Sequence, residues 1–144
     1  MELKIKKLSD TAKTPTYGSL SAAGADLYSS EEAIEIAAGE TRLVHTGIAM
    51  EIPEGYVGLI YARSGIATKR GLAPANKVGV IDSDYRGEIM VALHNHSNVP
   101  ACIDAYERIA QIVIAPYLRV DFSEVDTLED TERGKGGFGS TGTK

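Results

Sequence analysis

Tryptophan is absent from these 144 residues, cysteine occurs once and histidine three times. A single cysteine, Cys102, excludes an intrachain disulfide framework and a four-cysteine zinc site. Long hydrophobic runs are missing as well, since none approaches the roughly 18 to 20 residues of a membrane span. The first fifteen residues carry Lys among polar residues rather than the apolar core of a signal peptide. A cytoplasmic, reducing compartment is therefore expected, with no membrane partner. Positive charge is also scarce: 15 Lys and Arg stand against 20 Asp and Glu, a formal net charge of −5. Binding to duplex nucleic acid relies on many basic side chains facing phosphates, so no nucleic-acid polymer is expected as a partner. A small phosphorylated ligand needs only a few placed donors and a cation. The length predicts one domain, large enough to close a core without disulfides or a structural metal.

What the chain does have is punctuation. Fifteen Gly and five Pro cut it into short apolar runs. Leu3 to Leu8, Ile34 to Ile36, Leu43 to Ile52, Tyr56 to Tyr61, Val78 to Ile81, Ile89 to Leu93, Ile109 to Ile114 and Leu118 to Phe122 are of strand length, rich in Val and Ile, and bounded by turn residues. Many short, closely spaced strands predict an all-β sandwich, jelly roll or barrel. One stretch reads as helix, Ser64 to Arg70, with Ser64 as its cap and Gly71 as its stop. The last twelve residues, Arg133 to Lys144, contain five Gly, and composition alone predicts disorder there.

Five segments carry polar residues that a plain β core does not require. In Ala23 to Ser29, Asp26 interrupts an apolar strand, either as a turn-capping carboxylate or as an acid held for a cation. In Ala62-Arg63-Ser64-Gly65 a guanidinium, a hydroxyl and free backbone N–H groups meet at a helix start, which physically suits an anion. In Gly79-Val80-Ile81-Asp82-Ser83-Asp84-Tyr85-Arg86-Gly87 an apolar strand runs into two carboxylates, an aromatic and a cation. A turn explains Asp, Ser and Gly but does not call for Tyr85 and Arg86. Asp82, at the end of a buried strand, is well placed as a general base toward a water. Upstream, Leu72 to Val78 predicts a hairpin whose backbone offers donors and acceptors. In Arg108 to Ile114 a cation and an amide, Arg108 and Gln111, lie three apart. On a regular strand they face opposite ways, so at most one should reach a given site, and Gln111 needs a hydrogen-bond partner. The fifth segment, Arg133 to Gly142, combines cations, hydroxyls, unhindered amides and Phe138. Such a lid could wrap phosphates and stack on a base, and it is no Walker loop.

In this order and spacing the five segments resemble those of the trimeric dUTP diphosphatases, over about Ser21 to Gly142. Ala62 is a departure, since the family often has Pro there. The resemblance implies a jelly-roll-like (β-clip) domain over residues 1–132, one short helix, and a flexible Gly-rich C-terminal arm, residues 133–144, acting as a lid. It implies a homotrimer with active sites at subunit interfaces. The implied reaction is Mg²⁺-assisted hydrolysis of dUTP to dUMP and diphosphate by attack at the α-phosphorus, which keeps uracil out of DNA and supplies dUMP for thymidylate synthesis. Asp82 is then the general base, and Tyr85 packs on the deoxyribose. Asn76, with the backbone of Gly79, Val80 and Ile81, reads uracil. Arg63, Ser64, Gly65 and Gln111 contact phosphate, and Asp26 contacts magnesium through water. In the arm, Arg133, Ser140 and Thr141 hold the γ-phosphate, Phe138 covers the uracil, and Gly139 between them also binds substrate.

Other conspicuous residues read as structural. His94 and His96 share a face but lack a third ligand nearby. Cys102 reads as a small buried hydrophobe, Glu124 to Glu132 as a solvated linker, and Asp84 and Arg86 as turn or network residues. Two rivals stay open. A dCTP deaminase shares the Ile-Asp segment but carries a catalytic Glu on the next strand, where Ala92 stands here. A non-catalytic jelly-roll protein could retain a nucleotide pocket.

Overall fold

Strand follows strand from Lys4 to Pro116 because β-branched residues alternate with polar ones or sit between turn residues. The computed structural model describes residues 1–137. Its elements are β1 (Lys4–Lys7), β2 (Thr16–Tyr17), β3 (Ala25–Tyr28), β4 (Ile34–Ile36), β5 (Thr41–His45), β6 (Ile48–Glu51) and β7 (Tyr56–Tyr61), then helix α1 (Ser64–Arg70). After it come β8 (Leu72–Pro74), β9 (Gly79–Ile81), β10 (Met90–Asn95), β11 (Ala101–Ile103) and β12 (Arg108–Pro116). A five-stranded antiparallel sheet has the order β2-β3-β12-β7-β9, and a three-stranded one the order β5-β10-β8. Two ribbons, β1-β6 and β4-β11, complete an all-β, jelly-roll-like fold with a single short helix among the described residues. None of those residues belongs to a helix long and apolar enough to cross a membrane.

The strands are stitched together by period-two alternation. Along β10, Val91, Leu93 and Asn95 point inward while their neighbours are half-exposed. Val91 and Leu93 join Leu27, Ile36, Ile60 and Ile109 in one core. Asn95 is fully buried and its amide is satisfied: Nδ2 donates to the carbonyls of Ile36 (3.0 Å) and Val99 (2.8 Å), and Oδ1 accepts from Ser97. The Leu43 to Ile52 run is broken into β5 and β6 at Gly47, whose φ of +66° no β-branched residue would adopt.

Two sequence expectations fail here for identifiable reasons. Cys102 is exposed, not buried, because it occupies the outward position between buried Ala101 and Ile103 on β11. Leu118 to Phe122 forms no strand in the single chain. A strand exists only where another strand accepts its hydrogen bonds. The last such contact is Tyr117 N–H to the Gly55 carbonyl (3.0 Å), after which Leu118 and Phe122 are exposed.

Candidate functional site

Asp26, Arg63, Arg108 and Gln111 form one cluster on the outer face of the five-stranded sheet. Asp26 pairs with Gln111 across β3 and β12, and Gln111 pairs with Tyr61 at the end of β7. Arg63 follows β7 at the entrance to α1, so strand pairing alone delivers it beside Asp26. Arg63 Nε donates to Asp26 Oδ1 (2.7 Å) and Arg108 Nη1 to Asp26 Oδ2 (3.2 Å). Gln111 Nε2 donates to the Ala62 carbonyl (2.9 Å), which supplies the partner its position demanded. Gly24 leaves room for this arrangement, since a Cβ there would meet the Gln111 amide oxygen and force the side chain to move.

Arg108 and Gln111 therefore reach the same site, against the expectation from strand periodicity. A bulge between Arg108 and Ala110 inserts one residue into β12, so Ile109 and Ala110 are both buried and Arg108 is turned to the Gln111 face. The helix start also differs from expectation. Arg63, not Ser64, occupies the cap position and makes no side-chain capping bond. Ser64 and Gly65 stay exposed, and the first helical N–H groups receive no side-chain cap. Gly65 has no atom within 4 Å of where a Cβ would lie, so nothing in the subunit itself requires glycine there. Two guanidiniums against one carboxylate leave the cluster with a net positive charge, which suits an anion.

The far end of α1 is anchored independently. Gly71, at φ +68°, terminates it, and Arg70 forks onto both Glu107 carboxylate oxygens and the Cys102 carbonyl (2.8 Å). The hydrogen bond from Arg70 holds the Glu107 carboxyl below its ordinary range, against the opposing effect of burial.

A second cluster surrounds Asp82. Asn76 and Lys77 lie in a tight turn, with Lys77 N–H donating to the Pro74 carbonyl (3.0 Å) and Lys77 at φ +65°. The expected hairpin is not a paired one: β8 bonds to β10 and β9 to β7, so the turn carries the chain between sheets. The consequence is chemical. Strand β9 is the edge of its sheet, so one side of Gly79, Val80 and Ile81 offers unpaired backbone donors and acceptors. Asp82 follows directly, exposed, and makes no ion pair among the described residues. Tyr85 N–H donates to the Asp82 carbonyl (3.2 Å), and Arg86 Nη1 ties the loop to the Ser83 carbonyl (2.6 Å), a structural role as expected. A hollow between Val80, Ile81, Asp82, Tyr85, Glu88 and Met90 opens beside the carboxylate.

One chain does not unite the two clusters. Gly58 pairs with Ile81, so Asp82 lies four residues along β7 from the Asp26–Gln111–Tyr61 row and three strands across from β3. At about 3.3 Å per residue and about 4.8 Å per strand, the two residues are roughly 20 Å apart along the sheet. A third group stands alone: Arg133 is exposed and bonds its own turn through the Gly136 carbonyl (3.0 Å). Phe138, Gly139, Ser140 and Thr141 lie outside the described residues. His94 and His96 do share a face, with rings 4.5 Å apart, and His94 Nδ1 bonds the Thr41 hydroxyl (2.8 Å). Ala92 sits in mid-β10 opposite Leu43, with no carboxylate at its position.

Sequence reasoning overlooked Arg108 as a partner of Asp26, and Glu88 and His45 altogether. A bulge leaves no residue-level signature, but the doubled buried pair Ile109-Ala110 is visible in retrospect as a break in alternation.

Comparison with known proteins identifies the family. A sequence profile of the family described as dUTPase matches residues 10–142. The chain is 55% identical over 142 residues to a deoxyuridine 5'-triphosphate nucleotidohydrolase of Nautilia profundicola, covering 99% of each chain. It is 48% identical over 144 residues to the protein of that name from Hydrogenobaculum sp., covering 100% of both. Among solved structures, the dUTPase of Staphylococcus bacteriophage 80alpha with dUPNHPP superposes with a TM-score of 0.91 at 30% identity, covering 99% of each chain. With its five segments in order and a match running almost from end to end, this chain belongs to the dUTPase family of nucleotide hydrolases.

Proposed function

We propose that this protein hydrolyses dUTP to dUMP and diphosphate in active sites assembled where copies of the chain meet as a homotrimer. The observation that carries the reading is the pair of half-sites: an unpaired strand edge followed by Asp82, and an anion cluster around Arg63, roughly 20 Å apart along the sheet. A carboxylate-activated water and a phosphate clamp must act on the same phosphorus within hydrogen-bond reach, so the halves have to come from different subunits.

Uracil pairs with the free edge of Gly79, Val80 and Ile81 and with Asn76. Cytosine differs at one donor and acceptor position and would leave these backbone groups unpaired. Tyr85 lies against the deoxyribose and leaves no room for a 2′-hydroxyl. Asp82 accepts a proton from water as its oxygen attacks the α-phosphorus; the bond from that phosphorus to the bridging oxygen breaks, and diphosphate leaves. A carboxylate is a weak base, so its contribution is chiefly to hold the water in line. Arg63, Ser64, Gly65 and Gln111 bind the phosphates. The open space over Gly65 supports this, because it lets a phosphate approach the backbone closely.

The residues fit magnesium only in an outer role. Among the described residues no group of three or more His, Cys, Asp or Glu could hold a metal, and Asp26 already accepts from two guanidiniums. That suits an ion carried by the substrate phosphates and keeping most of its waters, with Asp26 and Gln111 reached through water. When bound, magnesium neutralises phosphate charge and stabilises the departing diphosphate. Residues 133–144 close as a lid in which Arg133, Gly139, Ser140 and Thr141 contact the γ-phosphate end and Phe138 stacks on uracil. Release of diphosphate from a panel of nucleoside triphosphates, with product identification and sizing of the oligomer, tests the reading. Turnover by a monodisperse monomer, or equal rates on dUTP and UTP, would refute it.

A further inference from the structure

The residue immediately after the Asp82–Gly87 loop, Glu88, is not used by the mechanism above, yet it ties the end of that loop to the chain around Gly47. Glu88 Oε1 accepts the Gly47 N–H (2.7 Å) and Oε2 accepts from His45 Nδ1 (2.9 Å). Its main-chain carbonyl accepts the Tyr85 hydroxyl (2.9 Å). Both side-chain partners lie in the β5–β6 turn, which is itself immobilised. Gly47 is held at φ +66°, and a Cβ on it would come within 2.7 Å of the Ala12 Cβ and the Ser9 hydroxyl. One residue further on, the same turn grips buried Ile89: its N–H donates to the Ile48 carbonyl (2.8 Å), and Thr46 Oγ1 donates to its carbonyl (2.5 Å).

Tyr85 depends on this anchor because little else holds it. The residue is 41% exposed, so burial alone does not fix its rotamer. The ring lies over Gly87, where a Cβ would overlap it, and the hydroxyl hangs from the Glu88 carbonyl. The ring's direction is thus set by one hydrogen bond to the Glu88 carbonyl, whose peptide is held on one side by the Glu88 carboxylate and on the other by the Ile89 N–H bond to the Ile48 carbonyl.

We propose that Glu88 is a positioning residue for Tyr85: by clamping its carbonyl to the His45–Gly47 turn it fixes the ring against the sugar and so sets discrimination against ribonucleotides. The inference rests on Tyr85 facing the deoxyribose. A 2′-hydroxyl is rejected by a wall only if the wall cannot move aside, so loosening the anchor admits UTP more than it harms dUTP.

The test compares kcat and KM for dUTP and UTP in the wild type, Glu88→Ala, Glu88→Gln, Tyr85→Phe and the Ala/Phe double variant, each checked for oligomeric state and melting temperature. Glu88→Ala should lower the ratio of kcat/KM for dUTP over UTP by about tenfold or more. Glu88→Gln, which keeps an oxygen for the Gly47 N–H, should lower it by no more than about threefold. Tyr85→Phe, which removes the hydroxyl at the other end of the anchor, should match Glu88→Ala, and the double variant should be no worse than the more severe single one. A lower melting temperature in Glu88→Ala with an unchanged ratio would make Glu88 merely structural and overturn the proposal. So would losses that multiply in the double variant. If Glu88→Ala does not fold, an unchanged ratio in Tyr85→Phe overturns it equally. A wild type without preference for dUTP would instead remove the underlying reading of the site, which separates the two failures.

Discussion

Replacing Asp26 removes the only carboxylate between two guanidiniums, and its cost can be worked from burial. The side chain is 13% exposed, Arg63 25% and Arg108 50%. The sheltered bond from Arg63 should contribute about 1.5 to 3 kcal/mol, as charge-assisted hydrogen bonds do. The half-exposed one from Arg108 should contribute under about 1 kcal/mol. Asp26→Ala should therefore destabilise by about 2 to 4 kcal/mol and leave two unpaired cations side by side. Asp26→Asn keeps one oxygen for Arg63 and turns its amide toward Arg108, which can swing into water, so about 1 to 2 kcal/mol is expected. At roughly 3 °C per kcal/mol for a chain of this size, melting should fall by about 6 to 12 °C in the alanine variant and about 3 to 6 °C in the asparagine variant. Protein concentration must be matched, because subunit association contributes to the midpoint. Catalysis should suffer more than stability, with kcat/KM for dUTP falling about a hundredfold in Asp26→Ala, since a released Arg63 would lose the direction proposed for it toward phosphate. Differential scanning fluorimetry with steady-state diphosphate release reads both quantities. A shift under about 2 °C together with kcat/KM within about twofold of wild type would show that the ion pairs neither support the fold nor orient Arg63.

Asp82→Asn keeps shape and hydrogen bonding while removing the proposed base, so turnover should drop by about 10² to 10⁴ with nucleotide binding retained by calorimetry; a parallel loss of affinity would make it a binding residue instead. Gly58→Ala should cost about 1 to 3 kcal/mol in denaturant unfolding, because a Cβ there would come within 2.8 Å of Ile52 Cδ1 and 3.1 Å of Ile112 Cδ1; unchanged stability would mean the sheet packing is looser than described. Stability should also depend on pH through two groups. Arg70 lowers the Glu107 carboxyl, so its contribution is complete above the ordinary carboxylate range and lost as pH falls through the depressed folded value; Glu107→Gln should flatten that acid limb. The hydrogen bond to Glu88 raises His45, so that contribution is complete below about pH 6.5 and lost as pH rises through the elevated folded value. Replacing His45 with Gln should remove that alkaline loss, and an unchanged profile would exclude the His45–Glu88 pair as its source.

Local chemistry was legible from the chain alone wherever one stretch of residues decides it. Turn residues at close spacing marked the strands, Ile34 and Ile36 revealed an inward face through alternation, and Gly71 marked the helix stop. Asp82 stood out because an apolar strand has no other use for the charges that follow it. Gln111 announced a need for a partner, which the Ala62 carbonyl meets. Decisions involving two distant segments were not legible. Whether Arg108 joins Asp26 depends on a bulge, and a bulge is a property of two strands in register. The turn after Pro74 joins different sheets because β8 and β9 each found another partner, which no property of residues 72–81 specifies. Leu118 to Phe122 has a strand's alternation but no neighbour in its own chain to accept its hydrogen bonds. Glu88 is one more acid by composition; only the arrival of the Gly47 N–H and His45 within hydrogen-bond range makes it an anchor. Side-chain identity and periodicity thus set which groups are available and which way each strand faces. The choice of partners, and with it the two half-sites roughly 20 Å apart, belongs to tertiary structure, because pairing energy is a property of two segments and neither one encodes it alone.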